Sequence, residues 1–290
     1  MSGSQGALVE QGSSHGLDAI LVTSPHATAA ISVFGGQLLS FRPTTTDTDV
    51  LWVSPHLAPL PTPLRGGIPL YWPYFSRENQ PDDVPSHGYA RTAQWALDSQ
   101  TQLANGDVEV VLKPLGLEHL PLTLTQTIRV GASLVQSIRT TNRGSQATRL
   151  TEAFHNYFSV SDVTHTTVRG LLGSTYLDKL DDMNAHTQQD EWMLPPTDPR
   201  CDRVYPGNSG PHQIIDPGVN RVITLSSKGS RSTVVWNPGE VAAARMPDVQ
   251  EAWRGYVCVE TANVGPDVVT LDPGATSEMT QEISVAPLHI

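Results

Sequence analysis

The sequence is poor in cysteine and contains no long hydrophobic run. Its two cysteines, Cys201 and Cys258, stand far apart and outside any metal-binding spacing, which argues against a disulfide framework or a cysteine-based zinc site. No apolar stretch approaches the roughly 18 residues that a membrane span requires. Residues 1–16 lack the basic start and apolar core of a secretory signal and are predicted to be a disordered tail. We therefore expect a cytoplasmic protein with reduced thiols.

Positive charge is also scarce. Lysine and arginine together number 18 against 29 aspartates and glutamates, so the formal net charge of the 290 residues is −11. Nucleic acids and anionic membranes select broad basic surfaces, and neither is expected as a partner. A small anionic ligand needs only a few local cations. Fifteen of the eighteen basic residues are arginines, whose planar guanidinium suits a phosphate, although genomic base composition alone can produce this bias.

Long helical periodicity is missing, and only Ser161–Val168 and Asp178–Trp192 are candidates for short helices. Short segments in which β-branched and polar residues alternate predict half-buried antiparallel strands instead. The pattern predicts an all-β fold, a large antiparallel β-sandwich in one catalytic domain at 17–290, with long loops at Ser76–Pro85 and Leu194–Gly210. The predicted strands are Ala29–Val33, Gln37–Phe41, Val108–Leu112, Leu122–Val130, Leu134–Thr140, Val222–Leu225, Thr233–Trp236, Tyr256–Glu260, Val268–Leu271 and Met279–Val285.

Sequence motifs for cofactors and metals are absent. There is no phosphate-binding loop of the G-x-x-x-x-G-K-[ST] type, no G-x-G-x-x-G after a predicted strand and no paired-histidine cluster. We therefore expect a protein that works with neither a metal ion nor an organic cofactor.

Two segments combine glycine, arginine and aromatic residues. Arg65–Phe75 begins with an arginine and two glycines and continues into prolines and aromatic residues. Glycine permits positive φ or a close approach to a ligand, and aromatic faces suit the apolar C–H faces of a sugar. Pro85–Arg91 places His87 and Arg91 four residues apart, and arginine is a preferred bidentate partner of phosphate. Taken alone, each segment also fits an ordinary buried crossing with polar surface residues.

Two later segments contain candidate acid–base residues. If Glu152–Phe158 is a strand, His155 and Tyr157 share one of its faces. In Tyr256–Asn263, Glu260 ends an apolar stretch, where burial would raise the pKa of the carboxylate and help it act as a base. When each segment is taken alone, a satisfied core or surface histidine and a solvated strand-end glutamate are the commoner explanations.

Together the four segments resemble the hexose-6-phosphate mutarotases, or glucose-6-phosphate 1-epimerases, of the galactose mutarotase-like superfamily. The resemblance covers most of the chain in a single order and implies that superfamily's β-supersandwich fold. The matching segments are Leu38–Pro43, Asp49–Pro55, Arg65–Pro69, His87–Arg91, Phe154–Phe158, Tyr176–Lys179, Asp202–Tyr205, Val235–Pro238 and Val257–Val264.

The resemblance also implies roles for individual residues. His155 matches the catalytic histidine of the family, and Glu260 matches its catalytic glutamate. Arg65 and Arg91 match arginines that hold the phosphate and the rest of the substrate.

Further matches concern the wall of the sugar site. His87 and Asp178 match polar residues that line it. Ser86 departs from the pattern, because some relatives carry there a glutamine that touches the substrate. Serine is shorter, so this contact is expected to be lost or bridged by water. The stretch Gly239–Arg245 also departs from the family pattern.

The activity that the resemblance implies is exchange of the α and β anomers of a hexose 6-phosphate, with glucose 6-phosphate as the expected substrate. Ring opening removes a proton from the C1 hydroxyl and delivers one to the ring oxygen, which a carboxylate and a histidine can do together. Two alternatives remain. An aldose 1-epimerase acting on unphosphorylated hexose would not need Arg65 and Arg91, and the same fold can serve as a sugar-binding domain without catalysis. We expect a monomer whose partner is a small sugar phosphate.

Overall fold

Antiparallel strands make up most of the computed structural model, which describes residues 8–77 and 80–288. In this part of the chain the helices are short: α1 covers Gly239–Ala243, and 3-10 helices occur at Ala90–Thr92, Val163–His165, Pro217–Val219 and Gln250–Gly255. None of these helices has the length and apolar character needed to cross a membrane. The strands in the same residues are β1 (Leu8–Ser14), β2 (Leu17–Thr23), β3 (Ala27–Ser32), β4 (Leu38–Pro43), β5 (Leu70–Tyr71), β6 (Trp95–Gln102), β7 (Val108–Pro114), β8 (Leu122–Val130), β9 (Leu134–Asn142), β10 (Thr148–Leu150), β11 (Glu152–Phe154), β12 (Tyr157–Ser159), β13 (Thr167–Arg169), β14 (Thr175–Asp178), β15 (Asn184–Thr187), β16 (Cys201–Pro206), β17 (His212–Asp216), β18 (Arg221–Lys228), β19 (Ser232–Asn237), β20 (Tyr256–Asn263), β21 (Val269–Leu271) and β22 (Thr276–Pro287).

Two eight-stranded antiparallel sheets form most of the structure. The first, called the site sheet below, has the order β15-β14-β16-β19-β20-β11-β5, with β12 also paired to β20. The second, called the back sheet, has the order β13-β17-β18-β22-β9-β8-β7-β6. A four-stranded sheet, β1 to β4, and a β10–β21 pair complete the described strands. This arrangement confirms the predicted large antiparallel β-sandwich.

The two large sheets contribute to one hydrophobic cluster. It includes Val257 and Val259 from the site sheet and Ile138 and Ile283 from the back sheet, all buried. Buried residues alternate regularly along β8 of the back sheet, as the period of two in the sequence predicted. A smaller cluster that includes Tyr71 and residues of β11, β16, β19 and β20 covers part of the other face of the site sheet.

The predicted disordered tail at 1–16 is wrong for its second half. Strand β1 lies there and pairs along its whole length with β2. The connecting residues His15 and Gly16 have φ values of 54° and 76°, the left-handed pair typical of a two-residue hairpin turn. Because β1 is mostly exposed, backbone hydrogen bonds hold it and no apolar alternation marks it in the sequence. The first seven residues lie outside the described part of the chain.

The predicted helix at Asp178–Trp192 is also wrong. The segment contains the turn between β14 and β15. Asp182 and Met183 have positive φ in this turn, a backbone conformation that an α-helix cannot accommodate. In Ser161–Val168, by contrast, a single 3-10 turn forms, and the side chain of Asp162 caps it.

The two loop predictions had different outcomes. Ser76–Pro85 contains neither helix nor strand in its described residues. Leu194–Gly210 was predicted as a loop, but it contains β16, which pairs with β14 and β19. The pairing partners of β16 lie outside the local sequence, so its strand conformation depends on tertiary contacts.

Candidate active site

The candidate acid and base lie next to each other on the site sheet. Strand β11 ends at Phe154 and β12 begins at Tyr157, and both pair with β20. At this interruption the imidazole Nε2 of His155 lies 3.2 Å from Oε1 of Glu260. The backbone N–H of His155 donates to the carbonyl of Pro69 at 3.1 Å. Strands β11 and β12, on either side of His155, therefore bring it next to Glu260 of β20.

Burial changes the proton affinities of both groups. Glu260 lies inside β20, not at its end, and is 1% exposed. Burial raises the pKa of its carboxyl well above the ordinary range, while the charge of Lys179 lowers it and that of Asp202 raises it further. Burial also lowers the pKa of His155 well below its usual value, because the neutral imidazole is favoured there, and electrostatic interactions with His87 and Arg65 act in the same direction. A raised pKa makes a carboxylate a stronger base, and a lowered pKa makes an imidazolium a stronger acid.

Aromatic rings surround the imidazole of His155. Tyr157 stacks on it at 4.7 Å between ring centroids, and the rings of Tyr71 and Trp236 meet it edge-on at 5.0 and 5.8 Å. The segment Arg65–Phe75 thus supplies one of these rings, as its composition predicted. Tyr157 and Trp236 come from β12 and β19, and the spacing of the sequence gave no reason to place Trp236 there.

Arg65 is anchored within the site by two hydrogen bonds. Its Nε donates to Oδ2 of Asp248 at 2.9 Å, and its Nη1 donates to the hydroxyl of Tyr157 at 3.1 Å. The guanidinium is also 6.0 Å from the ring centroid of Trp236. These contacts hold the cation close to the His155 imidazole and leave part of its planar fork for an anion.

Arg91 and Ser86 are joined to each other. Nη2 of Arg91 donates to the backbone carbonyl of Ser86 at 2.7 Å, and the guanidinium lies over the ring of Tyr71 at 5.1 Å. The hydroxyl of Ser86 donates to the carbonyl of Ser76 at 3.3 Å. Ser86 therefore contributes to holding Arg91 through its backbone, whichever way its short side chain meets a ligand.

His87 is held as a neutral imidazole. Its Nδ1 accepts a hydrogen bond from the backbone N–H of Ser76 at 3.0 Å, and its ring is tilted by 36° against that of Tyr71, with 3.8 Å between the ring centroids. Burial, together with the charges of Arg91 and Lys179, lowers the pKa of His87 to about 3. With Nδ1 used as an acceptor, the remaining proton resides on Nε2 and can be donated to a ligand.

Asp178 does not lie with the other predicted site residues. Directly paired residues of a sheet share a face. Asp178 pairs with Arg203, and Arg203 pairs with Val235. Val235 in turn pairs with Val259, so Asp178 shares the face of Val259. Glu260 follows Val259 and points to the opposite face. The register thus places Asp178 on the face opposite Glu260, and its carboxylate lies 3.4 Å from Nε of Arg203. That Asp178 lines the sugar site stays a prediction.

Asp202 and Lys179 are the two charged residues that act on the carboxyl of Glu260. Asp202 pairs with Trp236, on the face that carries Glu260. Nζ of Lys179 lies 3.8 Å from Oδ1 of Asp202 and 4.7 Å from the ring centroid of Phe75. Both residues belong to segments already matched in the sequence. Those segments also contain Asp178 and Arg203, and only the register of β14, β16 and β19 shows which of these charged residues share a face with Glu260.

Two glycines permit the close packing around these side chains. Gly67 has a φ of 62°, and a Cβ there would lie 2.0 Å from the carbonyl oxygen of Leu38. Gly88 has a φ of 73°, and a Cβ would lie 2.3 Å from the carbonyl oxygen of Trp72. Any side chain at either position would displace the backbone near Arg65 or His87, which is the requirement that the sequence indicated.

Metal-binding geometry is not found in this part of the chain. Among residues 8–77 and 80–288, no group of three or more His, Cys, Asp or Glu side chains is arranged to hold a metal ion. Cys201 and Cys258 are both free and buried. Burial raises the pKa of the Cys201 thiol to about 12, so this thiol remains protonated near neutral pH.

Comparisons with known proteins agree on one family. A family model described as aldose 1-epimerase matches residues 18–284. A protein of Salmonella typhimurium, provisionally named glucose-6-phosphate 1-epimerase, is 32% identical over 277 residues, which cover 93% of this chain and 91% of that protein. A protein of Cenchrus ciliaris with the same provisional name is 29% identical over 261 residues, or 85% and 78% of the two chains. The crystal structure of a provisionally identified mutarotase from Salmonella typhimurium superposes with a TM-score of 0.85 at 28% identity, covering 97% and 94% of the two chains.

Proposed function

Because the chain belongs to the aldose 1-epimerase family, we propose that it interconverts the α and β anomers of a hexose 6-phosphate. Glucose 6-phosphate is the expected substrate, since two relatives are provisionally named for it. The reaction needs no change of oxidation state and no group transfer to the protein. We further propose that a single catalytic domain, which includes β1 in addition to the predicted 17–290, does this in the cytoplasm as a monomer, without metal or organic cofactor.

The observation that carries the proposal is the contact between Nε2 of His155 and Oε1 of Glu260. Glu260 takes the proton of the C1 hydroxyl while His155 gives a proton to the ring oxygen, and the bond between C1 and the ring oxygen breaks. Rotation about C1–C2 turns the other face of the resulting aldehyde toward the hydroxyl at C5. His155 then removes the hydroxyl proton as the oxygen attacks C1, and Glu260 returns its proton to the carbonyl oxygen.

The pair holds one proton that either partner can carry. The proton can be on the carboxyl, with the imidazole neutral, or on the imidazole, with the glutamate as a carboxylate. The number of bound protons is the same in both arrangements. The pH dependence of turnover therefore belongs to the pair as a unit. Activity falls at low pH when a second proton neutralises the base, and at high pH when the shared proton is lost.

Arg65 and Arg91 support the phosphate part of the proposal. Both guanidinium groups lie beside the aromatic rings around His155, and Lys179 adds a third cation near Glu260. Asp248 and Asp202 balance part of the charge of Arg65 and Lys179, whereas the guanidinium of Arg91 donates to a backbone carbonyl, in a chain whose net charge is −11. A phosphate dianion is repelled by the molecule as a whole, so closely placed cations are needed to bind it.

An aldose 1-epimerase acting on unphosphorylated hexose is the second candidate, because the family model carries that description. The experiment that separates the two is two-dimensional exchange NMR of the anomeric protons, with catalytic amounts of protein, for glucose 6-phosphate and for glucose. We expect kcat/KM to be higher for the phosphosugar. Faster exchange of glucose would support the second candidate, and no acceleration for either sugar would leave the protein as a sugar-binding domain.

A further inference from the structure

A continuous chain of buried amide side chains connects the two large sheets. Gln126, Gln136, Asn156 and Gln281 are each fully buried. In the back sheet, Nε2 of Gln281 donates to Oε1 of Gln136 at 2.9 Å, and Nε2 of Gln136 donates to Oε1 of Gln126 at 2.7 Å. The chain ends where Nε2 of Gln126 donates to the carbonyl of Gly36 at 2.7 Å.

At its other end this row of hydrogen-bonded amide side chains reaches Asn156, next to His155. Gln281 and Asn156 exchange two hydrogen bonds: Nδ2 of Asn156 donates to Oε1 of Gln281 at 2.9 Å, and Nε2 of Gln281 donates to Oδ1 of Asn156 at 2.8 Å. Nδ2 of Asn156 also donates to the carbonyl of Val259 at 2.9 Å. Asn156 follows His155 in the chain, and Val259 precedes Glu260. One side chain therefore ties together the two backbone segments that carry the acid–base pair.

The orientation of every amide in this chain is determined. Backbone carbonyls only accept hydrogen bonds, so Gln126 and Asn156 must present their NH₂ groups to Gly36 and Val259. Each remaining amide then has only one orientation that gives a donor opposite each acceptor. Burying four amide side chains in a core has a desolvation free-energy cost that apolar side chains of the same volume would not have. A satisfied network of this kind makes the core rigid and specific at that cost.

We propose that Asn156, held in one orientation by Gln281, is a positioning residue for His155 and Glu260. This inference rests on the proposed function of that pair. Neither β11 nor β12 includes residues 155 and 156, so regular strand pairing does not fix the backbone where it matters most. The hydrogen bond from Asn156 to Val259 takes the place of that pairing. Its loss would let the two catalytic groups shift relative to each other, and a shift of about 1 Å can reduce a rate about 100-fold.

The test compares Asn156→Ala and Gln281→Met with the matched control Asn142→Ala. Asn142 is also fully buried and also donates two hydrogen bonds through Nδ2, in its case to the backbone carbonyls of Gln146 and Leu271, but it lies at the end of β9. We expect kcat for glucose 6-phosphate to fall about 10–100-fold in Asn156→Ala with a smaller change in KM. Gln281→Met keeps the volume of the core and should lower kcat by a smaller factor. Asn142→Ala should lose stability without loss of kcat.

A readout that does not require activity is the ¹⁵N chemical shifts of the His155 imidazole, which report the hydrogen bond and proton of Nε2. We expect these shifts to change in Asn156→Ala and Gln281→Met and to stay unchanged in Asn142→Ala. Unchanged shifts together with wild-type kcat in a folded Gln281→Met would overturn the positioning role, as would equal losses of kcat in all three variants. If the wild-type protein exchanges neither sugar, the proposed function fails, while the imidazole shifts still decide the positioning of His155.

Discussion

At the scale of single residues, proximity is what distinguishes the candidate site from ordinary buried polar groups. Glu152 and Glu260 are both 1% exposed glutamates with raised pKa values, and His155 and His212 are both buried histidines with lowered pKa values. Only His155 and Glu260 are paired with each other, in a shell of aromatic rings and cations. The other two residues therefore serve as matched controls.

Replacing either member of the pair should remove most of the catalysis. We expect His155→Ala and Glu260→Gln each to lower kcat for anomer exchange about 10²–10⁴-fold, since each removes a general acid or base. Exchange NMR measures the rate, and circular dichroism verifies the fold. Glu152→Gln and His212→Ala should retain kcat. Turnover close to wild type in a folded His155 or Glu260 variant would exclude that residue from the mechanism.

Arg91 should act on the phosphosugar more than on the neutral sugar. A charge-assisted hydrogen bond contributes about 1.5–3 kcal/mol, so Arg91→Ala should lower kcat/KM for glucose 6-phosphate about 10–150-fold. Glucose has no dianion to pair with and should be affected less. Arg129→Ala is the control, because Arg129 lies on the back sheet and pairs with Asp107 at 3.8 Å. An equal loss with both sugars would show that Arg91 supports the structure and does not bind phosphate.

At the scale of elements, β20 connects the site to the core. All eight of its residues are buried, and it pairs with β11, β12 and β19. Along β11, Glu152 pairs with Asn263, which donates to Oε1 of Glu152 at 3.1 Å. Burial raises the pKa of Glu152 to about 7, and the hydrogen bond from Asn263 opposes this shift. Strand pairing has therefore placed a second proton-binding carboxyl in the sheet, away from the proposed chemistry.

Glu152 should make the protein less stable as pH rises. Between pH 4.5 and about 7, the folded state keeps the proton that the unfolded state has already lost, so the free energy of unfolding falls across this range and levels off above it. Glu152→Gln keeps the acceptor for Asn263 and removes the titration. Relative to wild type, the variant should gain about 3 kcal/mol between pH 4 and pH 8. Urea unfolding at both pH values measures this difference, and an equal stability difference at the two pH values would contradict it.

At the scale of the whole molecule, a large sandwich with a net charge of −11 over the full sequence carries three cations, Arg65, Arg91 and Lys179, near the candidate acid–base pair. The helices in the described residues are all short. The loops and strand ends around β5 supply Arg65, His87 and Arg91. Because proton transfer is the only chemistry that the proposed reaction needs, no part of this architecture has to carry a cofactor.

Removal of metal ions should leave the activity intact. After dialysis against a chelator, we expect kcat for glucose 6-phosphate to equal that of untreated protein, because His155 and Glu260 supply the acid and the base. The measurement is anomer exchange before and after dialysis, with added divalent ions as a control. Loss of activity that a divalent ion restores would reveal a metal requirement that neither sequence nor geometry indicated.

The sequence by itself determined the all-β fold and most of the central strands. It also named His155 and Glu260, which the structure brings into contact, while the roles of the seven predicted site residues stay predictions. Alternation along β8 and β9 is a local signal, and Gly67 and Gly88 are the only residue type that their positive φ and tight contacts allow. The tertiary structure alone decided that Asp202, not Asp178, faces Glu260, because a strand shows its side-chain alternation in the sequence but not which face meets the site. It also decided the burial of Glu260 and the joining of Asn156 to Gln281. These depend on contacts between strands more than a hundred residues apart, for which a single sequence carries no local pattern.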